Sequence, residues 1–114
     1  MIDVKKDLVA ALKSVTSWTV YYELLYKPGT IPAITYKELE NNDLLNGDSV
    51  DYSTIRYEIK VWSYSMDEVI AKSIAIDSAL KALGWSRYSS FEASYETQIL
   101  KVLRYVAVGY DEVN

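Results

Sequence analysis

The chain has 114 residues, half of them hydrophobic and a quarter charged, with a formal net charge of −4; this is the composition of one folded domain, without the polar bias of disorder and without an apolar run near the ~18 residues that span a bilayer. It contains neither cysteine nor histidine, which removes disulfides, thiolate nucleophiles, the usual Cys/His zinc sites and the side chain best tuned for proton transfer near neutrality. The acidic balance and the scatter of twelve basic residues argue against broad binding to a phosphate backbone.

The opening "MIDVKKDLVAAL" mixes acids with lysines and lacks the continuous apolar stretch of a signal peptide, so the expected location is the cytoplasm. Residues 3 to 15 are expected to form a helix, with Asp3 as N-cap and Val4, Leu8, Ala11, Leu12 and Val15 as its apolar stripe. Ser17 to Tyr26 alternates Val20, Tyr22 and Leu24 with Thr19, Tyr21 and Glu23, which predicts a strand. Pro28-Gly29 then supplies the dihedrals of a type II turn. Pro32 suits the start of a second strand, Ala33 to Glu40. "NNDLLNGDSVD", Asn41 to Asp51, is dense in turn formers and is expected to be the longest loop, with a tight turn at Asn46-Gly47. Its acids Asp43, Asp48 and Asp51 do not have calcium-loop spacing. Leu44 and Leu45 at such a tip have no core to enter unless the tip meets something.

A third strand, Tyr52 to Ser63, places Ile55, Tyr57, Ile59 and Val61 on one side and Arg56, Glu58 and Lys60 on the other. Trp62 and Tyr64 fall on the charged side. A helix follows at once, with the capping box Ser65-x-x-Glu68 and a staple between Tyr64 and Val69. Val69, Ile76, Leu80 and Leu83 stripe it, Ile70 and Ile74 lie beside them, and Gly84 ends it. Trp85 to Tyr95 is a serine-rich strand or extended loop. Thr97 to Tyr110 is a long closing strand, apolar on both faces and therefore expected to be central and covered on both sides.

The expected fold is a single α+β domain over residues 1–114, in the order α-β-β-β-α-β-β. It has a mostly antiparallel sheet of four to five strands with two helices packed on one face. The uncovered face carries Arg56, Glu58, Lys60, Trp62 and Tyr64, and is expected to carry Tyr36. Exposed aromatics of this kind mark a contact surface; a strand end or bulge that turns Trp62 into the core is the other reading. Eleven tyrosines suit either a partly wet interface or the ordinary preference of strands for tyrosine.

Constellations for chemistry are sparse. Glu38 and Glu40 are expected to share a strand face, where two such carboxylates are usually just hydrated. Asp67 and Glu68 are explained by the helix dipole. Asp77 and Arg104 are candidates for a buried ion pair. No base is available to activate a serine. The expectation is a protein without enzymatic activity, metal or cofactor.

Four segments nevertheless form a familiar pattern: the initial amphipathic helix, "IPAITYKELENND", "IRYEIKVWSYSMDEVIAKSIAIDSALKALGW" and "YETQILKVLRYVAVGY". Across nearly the whole chain they resemble the small tail-terminator or tail-completion proteins of long-tailed bacteriophages, particularly those of Gram-positive hosts. The resemblance implies a homo-oligomeric ring, often a hexamer, in the neck of the virion tail, though isolated members can be monomeric. Such a ring ends tail-tube polymerisation and meets the head connector. In it Trp62, Tyr64 and Tyr36 would anchor a subunit or partner interface, with Arg56, Glu58 and Lys60 setting its register. Asp43, Asp48 and Asp51 would border a lumen that passes DNA without binding it, or Leu44 and Leu45 would plug into a tail-tube subunit. Other expectations are a neighbouring neck component, such as a head-closure protein, or a small ligand-binding or regulatory α+β domain.

Overall fold

The computed structural model describes the backbone of residues 4–27, 30–46 and 49–110, and the side chains of these residues other than 43–46, 49–52, 95, 109 and 110. Among the described residues there are two helices and five strands, in the predicted order: α1 (Lys5–Ser14), β1 (Thr19–Tyr22), β2 (Ala33–Asn46), β3 (Ser49–Ser63), α2 (Met66–Ala82), β4 (Ser86–Tyr95) and β5 (Gln98–Tyr110). They make one mixed sheet in the spatial order β1-β2-β3-β5-β4. No described helix is long and apolar enough to cross a membrane.

The predicted stripe of α1 is the one it buries. Leu8 and Leu12 are sealed, with Val4, Ala11 and Val15 packed alongside. Asp3 lies outside the described residues; the N-cap position is Val4, which makes no side-chain capping bond. In α2, Ser65 Oγ accepts the Glu68 N–H at 3.4 Å, and Gly84 ends the helix at φ 87°, where a side chain would be strained. Val69, Ile76 and Leu80 are fully buried, whereas Ile70, Ile74 and Leu83 are exposed. Both helices lie on one face of the sheet. There Leu8, Leu12, Ile76 and Leu80 close over Ile55, Tyr57, Ile59 and Val61 of β3 and Leu103 and Tyr105 of β5.

Three departures from expectation have local causes. First, β1 is short. After Tyr22 the chain enters a 3-10 turn, Glu23–Leu25, which carries Glu23 to the far face, where it meets Lys60 and Lys37. The connection then returns so that β2, entered through the cis Ile31–Pro32 bond, runs parallel to β1; the other neighbours are antiparallel. Pro28-Gly29 lies outside the described residues.

Second, the expected loop at 41–51 is mostly strand. β2 and β3 stay paired from Asn41↔Ile55 out to Asn46↔Ser49. The low strand preference of Asn and Asp is weak against a ladder whose other strand reads "SVDYSTI". Asn46 is thus the last ladder residue, and Gly47-Asp48 lies outside the described residues. The fifteen-residue β3 accounts for a molecule 51 Å long and only 24 × 22 Å across.

Third, the bulge between Glu38 and Glu40 pairs Glu38 with Tyr57 and Glu40 with Arg56. Those partners point to opposite faces, so the two carboxylates do not form the expected pair.

Candidate functional site

The side of the sheet away from the helices is set by the ladder. Thr35 opposes Lys60, Ala33 opposes Trp62, Glu58 opposes Arg104, and Lys60 opposes Val102. Cross-strand partners share a face, so Arg56, Glu58, Lys60 and Trp62 stand where the sequence put them.

Trp62 is nevertheless not bare. It is 7 % exposed and forms a second small core with Leu100 and Val102. The segment after the 3-10 turn folds over it, so that Tyr26 and Ile31 act as a lid. The Tyr26 and indole rings lie 5.1 Å apart, and the indole N–H donates to Thr35 Oγ1 at 3.0 Å. Burial, with Tyr21 and Tyr64 nearby, raises the Tyr26 hydroxyl above its usual pKa. The expectation of an exposed Trp62 is corrected by this lid, not by a reversal of the strand.

Tyr36 is also reassigned. It opposes Ile59, faces the helices, and packs against the main core, with its ring 5.6 Å from that of Tyr22. Tyr64 is exposed, but it lies in the bend beyond the end of β3 and not on the strand.

At the centre of the face the charges are already partnered. Glu58, 6 % exposed, accepts from Arg104 Nε at 2.8 Å. Lys60 and Lys37 stand 3.6 and 3.9 Å from its other oxygen. Glu23 closes the network by binding both lysines, at 3.3 Å from Lys37. Burial pushes the Glu23 pKa up, but the two lysines outweigh it and the net shift is down. Arg56 pairs with Glu40. The expected Asp77–Arg104 pair does not form, because the two residues lie on opposite faces. Asp77 instead accepts from the Tyr105 hydroxyl at 2.8 Å and pairs with Lys81 and Arg87 at 2.9 and 3.6 Å. Burial opposes ionisation of Asp77, yet Lys81, Tyr105 and Arg87 hold its pKa below the usual value, while burial and then Asp77 raise that of Tyr105.

Beyond this network the face turns aromatic. The Arg56 guanidinium sits 4.9 Å from the Tyr88 ring and that of Arg104 5.0 Å from Phe91, a favourable stacking of cation on ring. Tyr88, Phe91 and Val108 are all exposed. The sequence reading assigns Tyr88 and Phe91 to no face, because the serine-rich segment Trp85 to Tyr95 reads as strand or extended loop. The signal was present: Phe91 alternates with Ser90 and Glu92. β5 is accordingly central, and among its described residues the cover on the far face lies at the Leu100–Val102 end.

On the helix side, α2 and the last two strands enclose a groove of about 280 Å³ whose lining includes Ile70, Ile74, Asp77, Arg87 and Leu103. The side chains of Asp43, Leu44, Leu45 and Asp51, and all of Asp48, lie outside the described residues; the backbone of the first three lies in β2 and that of Asp51 in β3. Among the described residues no group of three or more acids is placed to hold a metal ion. No protein-family model matches this sequence, and no curated protein matches it.

Proposed function

We propose that this chain is a structural assembly subunit, a tail terminator in the neck of a long-tailed phage. In that role it caps the head-proximal end of the tail tube and contributes the tail side of the head–tail joint. The phage assignment is supported by the chain-long resemblance of segment order and type. The assembly role is supported chiefly by the uncovered sheet face. Its charges are satisfied internally, so the exposed Tyr88, Phe91 and Val108 are the groups on it that gain from being covered. The surface moves from Trp62, which serves the subunit's own core, to the β4–β5 side of the same face.

Electron microscopy of particles assembled without the protein tests this reading. Tubes of uncontrolled length are expected; tails of normal length joined to heads would refute it, and normal-length tails lacking heads would favour a head-closure component. The groove beside α2 favours a second reading, a small ligand-binding domain. A reproducible rise in melting temperature with one member of a small-molecule panel, lost in an Ile74→Arg variant, would support that alternative.

A further inference from the structure

β4 is the outer strand on its side of the sheet. It pairs with β5 along one edge, and among the described residues no strand pairs with the other. It is ten residues long and half-exposed or exposed along its described side chains. Exposed apolar groups flank it on both faces. Ile70 and Ile74 of α2, 46 and 63 % exposed, rise on the helix side, and Tyr88 and Phe91, 43 and 42 % exposed, stand on the other. A free strand edge is a template for strand addition, and side chains that gain from cover line both approaches to this one.

We infer that the occupant is the same strand of a second copy, laid antiparallel about a twofold axis through Ser90. The register follows from the bulge, which leaves Tyr88 unpaired between Arg87 and Ser89. With Tyr88 kept out of the ladder in both copies, Ser90 meets Ser90, Ser89 meets Phe91, Arg87 meets Glu92 and Ser86 meets Ala93. Faces agree throughout: Ser89 and Phe91 oppose Arg104 and Val102 on the open side, while Arg87 and Glu92 oppose Tyr105 and Lys101 on the helix side. Charge agrees as well. Arg87 and Glu92 are part-exposed and loosely held, Arg87 by Asp77 at 3.6 Å and by the Ser90 hydroxyl at 3.3 Å, Glu92 by Lys101 at 3.8 Å; they form two opposite-charge pairs across the axis. Charges and bulges usually guard an edge against pairing; here they reject other registers and admit this one.

The joint gathers Tyr88 and Phe91 of both copies on the open side. On the helix side, three strand spacings, about 14 Å, separate each β5 from its mate, so the groove beside α2 gains a second wall bearing the other copy's Ile70 and Ile74. The apolar area is modest, which makes this a weak, concentration-dependent dimer. The inference concerns the free chain and does not rest on the tail reading.

Sedimentation of the full-length protein over a wide concentration series, with charge variants, is the test. Arg87→Glu and Glu92→Arg are each expected to weaken the dimer about tenfold, since each sets like charges opposite each other twice, and the combined exchange is expected to restore it. Ser90→Cys, in a chain that otherwise lacks cysteine, is expected to yield a disulfide-linked dimer on mild oxidation. Melting curves confirm that each variant folds. A monomer at every concentration overturns the inference. So does association indifferent to both reversals, or a dimer that Ser90→Cys does not cross-link. A ring without that cross-link overturns it and leaves the tail proposal standing; a cross-linked dimer whose loss leaves tails normal does the reverse.

Discussion

Trp62→Ala distinguishes an indole that holds its own fold from one that waits for a partner. The side chain is 7 % exposed, packs with Leu100, Val102, Tyr26 and Ile31, and donates to the fully buried Thr35. Truncating a buried tryptophan costs about 3–5 kcal/mol. The lower end applies here, because the lid formed by Tyr26 and Ile31 is peripheral and can settle into the space. About 3 kcal/mol is a large part of the ~5–15 kcal/mol available to such a domain, and corresponds to a fall in Tm on the order of 10 °C. Trp62→Phe keeps an aromatic ring against Tyr26 but leaves Thr35 Oγ1 without its donor, for a loss of about 1 kcal/mol. Urea unfolding followed by far-UV circular dichroism, at a protein concentration where the chain is monomeric, gives both values. A Trp62→Ala midpoint within about 0.5 kcal/mol of the parent, the range of an ordinary surface substitution, would refute the lid and return the indole to the surface.

Glu58→Gln removes the one carboxylate shared by Arg104, Lys60 and Lys37. Those cations remain partly solvated, so a loss of about 1–3 kcal/mol is expected, below that of a sealed pair, and chemical denaturation measures it. Glu23 and Asp77 have folded pKa values below their ordinary 4.5 and 3.8. Their contribution is therefore complete above those ordinary values and is lost as pH falls through the folded ones. Urea midpoints should hold steady near neutrality and drop below about pH 4.5, with a shallower drop in the Glu23→Gln/Asp77→Asn double variant; an unaltered slope there would count against both assignments. Gly84→Ala meets no atom within 4 Å of the new Cβ, but sits at φ +87°. It should lose about 1–2 kcal/mol through backbone strain alone, readable as a Tm shift.

The elements that were legible were those whose code is local. The 3.6-residue stripe of Leu8 and Leu12, the Ser65–Glu68 cap, the Gly84 stop and the two-residue alternation of Ile55 to Val61 each draw on neighbours within a few positions, and each appears in the structure. Long-range features were not legible. Three register shifts, after Glu38, after Leu44 and after Arg87, change which residues share a face, and nothing in the adjacent residue types announces them. One partner of Glu23, Lys60, lies 37 positions away, and the lid over Trp62 depends on how the chain returns between β1 and β2. Asn and Asp in 41–46 read as a loop because propensity cannot see the strand that pairs with them. The candidate surface is the least legible part: the sequence marks its face, but points to Trp62 and Tyr36 as its exposed groups and not to Tyr88 and Phe91.

The chain's three tryptophans divide between the two cores, two with the main one and one with the smaller. Trp85 is buried in the main core, its ring 5.8 Å from that of Tyr57. Trp18 lines the edge of that core, with Lys72 5.2 Å from its ring. Trp62 alone reports from the far side. Indole emission is therefore a built-in positional probe: chains retaining a single tryptophan, the others replaced by phenylalanine, would reveal whether the covering segment over β3 detaches before the helices let go, without any label attached.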